Sequence, residues 1–138
     1  MISVRKQEVV KLEDVLHLYQ AVGWTNYTHQ PQMLEQALSH SLAIYMALDG
    51  DAVVGLVRLV GDGFSSVFVQ DLIVLPSYQR QGIGGALMKE ALGDFKDAYQ
   101  VQLVTDQTEK TLGFYRSLGF ETLSTFDCTG MICLDRKK

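Results

Sequence analysis

The stretch that most restricts how this chain can fold runs from Leu72 to Leu87: Leu-Ile-Val-Leu-Pro-Ser-Tyr-Gln-Arg-Gln-Gly-Ile-Gly-Gly-Ala-Leu. An apolar run ended by Pro76 leads into a short polar turn, then into glycines at 82, 84 and 85. The spacing of Ile83, Leu87 and Ala91 predicts that these glycines open a helix reaching about Leu92. The pattern is therefore a buried strand, a tight turn and a glycine-rich helix start. The first N–H groups of a helix have no intrahelical partner and lie at the positive end of its dipole. Left uncovered by side chains, such amides bind phosphate or pyrophosphate. Arg80, between Gln79 and Gln81, adds a full positive charge beside them.

The rest of the chain reads as elements of a mixed sheet. Ile2–Arg5 is a short strand. Leu12, Val15, Leu16, Tyr19 and Val22 share one helical face, and Gly23 ends that helix. Trp24–Gln30 is an aromatic and polar loop. Pro31 suits the first turn of a second helix, whose apolar face carries Met33, Leu34, Ala37 and Leu38. The period then changes. Strands are predicted over Ala43–Leu48, Ala52–Val60 and Ser66–Leu75, joined by turns at Asp49-Gly-Asp51 and Gly61-Asp-Gly63. The third is apolar on both faces and so belongs in the centre of the sheet. Gln100–Thr105 is a further strand. Asp106, three residues before Glu109, resembles a capping box for a helix running to Leu118. Gly119 then ends that helix, and Phe120 can fold back on its last turn. Two last strands are expected at Glu121–Thr125 and Thr129–Leu134. The sum is one α/β domain spanning 1–138.

The length of 138 residues agrees with one domain. With 47% hydrophobic and 20% charged residues, long disorder is excluded. Twelve basic residues against 16 acidic ones, a net charge of -4, argue against a general nucleic-acid binder. The same balance is compatible with a cationic substrate. No apolar run approaches the roughly 20 residues that span a bilayer, so no membrane partner is expected. Met-Ile-Ser-Val-Arg-Lys lacks the apolar core of a secretory leader, which predicts a cytoplasmic location. Cys128 and Cys133 lack metal-ligand spacing and are expected as free thiols packed in the tail strands. His17, His29 and His40 are expected at the surface, without a metal.

Other phosphate-binding patterns fail on spacing. A dinucleotide fingerprint would need glycine at 82, 84 and 87, and 87 is Leu; no P-loop pattern occurs. Gln79-Arg-Gln-Gly82-Ile-Gly84 instead resembles the acetyl-CoA signature of the GNAT superfamily of N-acetyltransferases. Phe114-Tyr-Arg-Ser-Leu-Gly-Phe120 is similar to that family's second hallmark. The resemblance implies a splayed mixed sheet of six to seven strands with about four helices. It implies acetyl-CoA as acetyl donor, with the pantetheine arm paired to the backbone of Leu72, Ile73 and Val74. The cofactor contacts would then run through Gln79, Arg80, Gln81, Gly82, Ile83, Gly84 and Gly85. Relatives carry Asn near the start of the second motif's helix; Thr108 stands there in this chain and is the candidate for that contact.

Acetyl transfer to an amine needs a deprotonated amine, a donor for the carbonyl oxygen and a proton for the departing thiolate. In direct transfer within a ternary complex no enzyme nucleophile is needed. The resemblance assigns Tyr115 as general acid; by spacing alone it reads first as a core aromatic with Leu112 and Leu118. No acid lies on the strand Val101–Thr105, so Asp71 is the candidate base or amine anchor, with a water chain as the other route. Asp71 is in phase with Val69 and Ile73 on an apolar face, where an unpaired charge would be costly. Trp24 and Tyr27 could form an aromatic wall for an amine of a small molecule or peptide, or could simply cap the core. The expectation is an N-acetyltransferase, with a homodimer as one option for its assembly; the alternative is a non-catalytic acyl-CoA-binding module.

Overall fold

The computed structural model describes residues 1–136. The chain forms two compact units, Met1–Leu103 and Val104–Lys138. In the first, five strands lie in chain order: β1 (Ile2–Gln7), β2 (Ala43–Asp49), β3 (Ala52–Gly61), β4 (Ser66–Val74) and β5 (Gln100–Leu103). The first four pair antiparallel, whereas β5 pairs parallel to β4. A parallel neighbour requires a crossover, and α4 (Ile83–Asp94) supplies it.

Alternation along the strands sorts side chains onto two faces. Ile44, Met46, Leu56 and Ile73 pack in one cluster with Val15, Leu18 and Tyr19 of α1 (Leu12–Ala21). Tyr27 of α2 (Thr25–Thr28) and Leu34 and Leu38 of α3 (Pro31–Ser39) complete it. The opposite face receives α4. Gly55 makes that approach possible: a Cβ there would lie 3.3 Å from Leu87 and 2.9 Å from the Ile73 carbonyl oxygen. Tyr45 ties the far end of α4 to the sheet through its hydroxyl, which donates to Asp94 at 2.7 Å.

Two irregularities in β4 shape the site. Arg58 pairs with Asp71 but Leu59 with Val69, so Gln70 has no partner in β3, a bulge that bends the strand. In addition, β5 pairs only with Ser66–Val69, and β4 continues through Gln70–Val74 with β3 on one side and no β5 on the other. The sheet therefore opens along the second half of β4.

In the second unit, α5 (Glu109–Ser117) is followed by a turn in which Gly119 takes φ +95°, with Phe120 N–H donating to the Tyr115 carbonyl at 3.0 Å. The N-cap is Thr108, whose hydroxyl oxygen accepts from Thr111 N–H at 3.3 Å, rather than the expected Asp106–Glu109 box. Glu121–Thr125 and Thr129–Leu134 are not strands: a 3₁₀ turn spans Leu123–Phe126, and the described residues beyond it have no ladder. An apolar alternating pattern becomes a strand only where a partner offers backbone groups. Among the described residues the count is thus five strands rather than six or seven, and five α-helices, because Thr25–Thr28 inside the expected loop closes a helical turn. Among the described residues no helix is long and apolar enough to cross a membrane.

Candidate active site

β4 ends at Val74, and a 3₁₀ turn over Pro76–Tyr78 redirects the chain into α4. Arg80 takes φ +66° and Gly82, the N-cap of α4, φ +80°. For Arg80 the left-handed conformation costs about 1–2 kcal/mol, so the turn is held there against its own preference. Among the described residues, the amides of Arg80 to Gly85 donate to no backbone carbonyl. A Cβ at Gly82 or Gly85 would meet nothing within 4 Å. These are open amides at a helix start with no side chain over them, which fits the pyrophosphate of acetyl-CoA. Arg80 and Gln81 stand exposed beside them.

The open edge of β4 is also phased. Leu75 N–H donates to the Val54 carbonyl at 2.9 Å, which turns Ile73's main-chain groups toward β3 and those of Leu72 and Val74 away from it. Ile73, expected to pair with the pantetheine arm, is instead committed to the sheet and buried. Gln79 Nε2 donates to the Val74 carbonyl at 3.0 Å. Leu72 and the Val74 amide remain at the open edge.

Asp71 is 3% exposed and lies inside a polar cluster. Its Oδ2 accepts from Arg58 Nε and from the Tyr19 hydroxyl, both at 2.8 Å, and its Oδ1 accepts from the Tyr27 hydroxyl at 2.9 Å. Arg58 also donates to Ser41 Oγ at 3.2 Å and to the Tyr27 oxygen at 3.2 Å. Burial, and then the Asp71 carboxylate, push the phenols of Tyr19 and Tyr27 above the usual tyrosine value, Tyr19 the further. Asp71, expected as base or amine anchor, is thus placed inside the fold with Arg58, Tyr19 and Tyr27 around it. Its carboxylate oxygens are held by the Arg58 guanidinium and the two phenols. Tyr27 is likewise bound inward by its hydroxyl; Trp24, half-buried, stands 6.3 Å from it between ring centroids and 6.1 Å from Tyr19.

In the second unit Tyr115 stacks edge-on with Phe114 at 4.9 Å and Phe120 at 5.9 Å. Its hydroxyl donates to no group among the described residues, unlike those of Tyr19, Tyr27, Tyr45 and Tyr78, each of which is given to an aspartate. Burial, and then Asp106, raise its pKa, so it stays protonated at neutral pH. Thr108, expected at the cofactor, gives its hydroxyl hydrogen to Asp106 at 2.8 Å and one of its two lone pairs to the helix. Cys128 and Cys133 are exposed rather than packed.

Arg58 and Tyr19 escaped the sequence reading. Arg58 is a lone charge inside the apolar run Ala52–Val60, and Asp71 is a lone charge in the next strand. That pair of anomalies in adjacent strands was the available signal. Tyr19 gave none, since its helical spacing explained it fully.

Residues 40–122 match the family model described as an acetyltransferase (GNAT) domain. A GNAT family acetyltransferase from Streptococcus pneumoniae TIGR4 is 79% identical, with a TM-score of 0.93 over 99% of this chain and 100% of that one. Serotonin N-acetyltransferase 2, chloroplastic, of Oryza sativa subsp. japonica is 30% identical over 66% of this chain and 48% of its own length. GCN5-related N-acetyltransferase 1, chloroplastic, of Arabidopsis thaliana is 29% identical over 84% of this chain and 59% of its own. The chain thus spans about half to three-fifths of these curated relatives.

Proposed function

Because this chain belongs to the GNAT acetyltransferases, we propose that it moves the acetyl group of acetyl-CoA to a primary amine of a small molecule or peptide, by direct transfer in a ternary complex. The observation that carries this reading is the row of unpartnered amides from Arg80 to Gly85 at the end of a strand whose outer edge is open. The amides of Gln81 to Gly85 and the Arg80 guanidinium hold the pyrophosphate. Leu72 and the Val74 amide pair with the pantetheine arm and fix its direction. Acetyl-CoA supplies the thioester on which the amine acts.

Tyr115 is the general acid. Its phenol is protonated at neutral pH and is not given to a carboxylate, so its proton is available to the departing thiolate. Asp71 does not take the amine's proton; it holds Tyr27, and Tyr27 backs Trp24 as the aromatic wall that receives the acceptor. The proton of the ammonium leaves through solvent.

The test is a panel of primary amines incubated with acetyl-CoA, read by release of free thiol. Thiol release with at least one amine, and an acetylated product of matching mass, is the expected result. Tight acetyl-CoA binding with no thiol release across small-molecule and peptide amines would make the chain an acyl-CoA-binding module instead.

A further inference from the structure

The amides from Arg80 to Gly85 donate to no backbone carbonyl among the described residues, so they do nothing to hold their own segment in place. Arg80 stands in the left-handed region at φ +66°. A residue in such a conformation persists only where its surroundings over-determine it. Most bonds just upstream are short-range. Tyr78 N–H donates to the Leu75 carbonyl at 2.8 Å, Gln79 N–H to that of Pro76 at 3.3 Å, and Gln79 Nε2 to that of Val74 at 3.0 Å. Each ties the turn to itself or to the strand end it has just left. Among the described residues one side-chain bond from the Pro76–Tyr78 turn reaches further: the Tyr78 hydroxyl donates to Asp49 Oδ2 at 2.7 Å, across 29 residues of sequence. Asp49 ends β2 and is paired on both sides, with Ile2 of β1 and with Ala52 of β3. Its backbone is therefore fixed by the sheet, and the bond is half-buried.

We propose that Tyr78 and Asp49 are a positioning pair for the cofactor: their bond pins the turn two residues before Arg80 and so keeps the amides of Gln81 to Gly85 open to the pyrophosphate. The inference rests on the acetyl-CoA reading of these amides. The pair acts through the backbone of the turn, not as a contact to the cofactor. Without the bond the turn is tied only to the strand it leaves, and Arg80 is free to relax toward the right-handed region. A site whose competent arrangement is populated a tenth of the time binds its ligand about tenfold more weakly. The loss therefore falls on acetyl-CoA affinity and not on the chemical step. The molecule carries its own control. The Tyr45 hydroxyl donates to Asp94 Oδ2 at the same 2.7 Å, but at the other end of α4.

Isothermal titration with acetyl-CoA tests the pair. Tyr78→Phe and Asp49→Ala should each raise Kd about tenfold with an unchanged circular dichroism spectrum. The double variant should bind no more weakly than either one, because both substitutions cut the same bond. Tyr45→Phe, the control, should bind as the parent does. With an amine that the parent acetylates, Tyr78→Phe should raise the KM for acetyl-CoA and keep kcat. A parent-like Kd in Tyr78→Phe overturns the pair and leaves the acetyl-CoA reading standing. So do additive losses in the double variant, an equal loss in Tyr45→Phe, or a fall in kcat with KM unchanged. A parent that binds no acetyl-CoA removes the reading and the pair together.

Discussion

Asp71 and the Arg80–Gly85 amides follow one another along the same strand-to-helix run, yet their polar groups are treated in opposite ways. Around Asp71 everything is matched: two carboxylate oxygens, a guanidinium and two phenols close on one another out of water. No buried side-chain nitrogen or oxygen among the described residues lacks a partner. At the start of α4 the amides are left without internal partners, and a left-handed arginine helps keep them open. A buried charge must be satisfied from within, because leaving it unpaired costs several kcal/mol. An exposed amide can be satisfied by water until a better acceptor arrives. The matched region holds the fold, and the unmatched one is free to bind.

The largest effect should come from unbalancing the matched region. Arg58→Met leaves Asp71 as a buried, unpaired carboxylate and should lower the unfolding free energy by about 3–5 kcal/mol in urea titrations. Arg58→Met with Asp71→Leu should recover most of that loss. If the double variant is as unstable as the single one, the ion pair is not what the cluster depends on. The phenols add a pH signature. Burial and Asp71 raise the pKa of Tyr19 and Tyr27 in the folded state, so their contribution is complete below the unfolded value of about 10 and is lost as pH climbs above it. The melting temperature should therefore fall through the alkaline range, and less steeply in Tyr19→Phe.

The unmatched region should respond to ligand rather than to folding. Gly85→Val places its side chain in open space. It should leave the fold intact and abolish the stabilisation by acetyl-CoA, which in the parent is about 2.7 kcal/mol at 100 times Kd. Calorimetric melting with and without acetyl-CoA checks this; a full ligand shift in the variant would move the pyrophosphate elsewhere.

Tyr115→Phe extends the contrast to the one phenol of the proposed site that no aspartate holds. Acetyl-CoA affinity should be kept while kcat on a cognate amine falls at least tenfold, about 1.4 kcal/mol in the barrier. Unchanged turnover would return Tyr115 to core packing. The smallest effect is expected at Thr108→Ala, which removes the cap of α5 and should cost about 1 kcal/mol of stability. If acetyl-CoA affinity also falls, Thr108 serves the cofactor as well as the helix.

Legibility differed between the two regions for a physical reason. The cradle is local: Gln79 to Gly85 are contiguous, and glycines at a helix start act through their own backbone. Strand, turn and helix there were all readable from spacing. The Asp71 cluster draws on α1, α2, β3 and β4, so its charge showed only as an oddity and its partners were not readable. The same limit applies to the tail, where Thr129–Leu134 has the composition of a strand but no strand was formed.

By itself the sequence determined the order of elements through α5, apart from the short α2, and the glycine-rich start of α4, because each depends on neighbours in the chain. Tertiary structure alone decided which carboxylate is neutralised by which cation. It also set which backbone groups of β4 face outward, since the phase is fixed by the Leu75–Val54 bond across to β3. Where strand pairing stops was decided there too, because a ladder exists only where two distant segments meet. The opening along Gln70–Val74 is the product of that last decision: β5 is simply too short to follow β4 to its end.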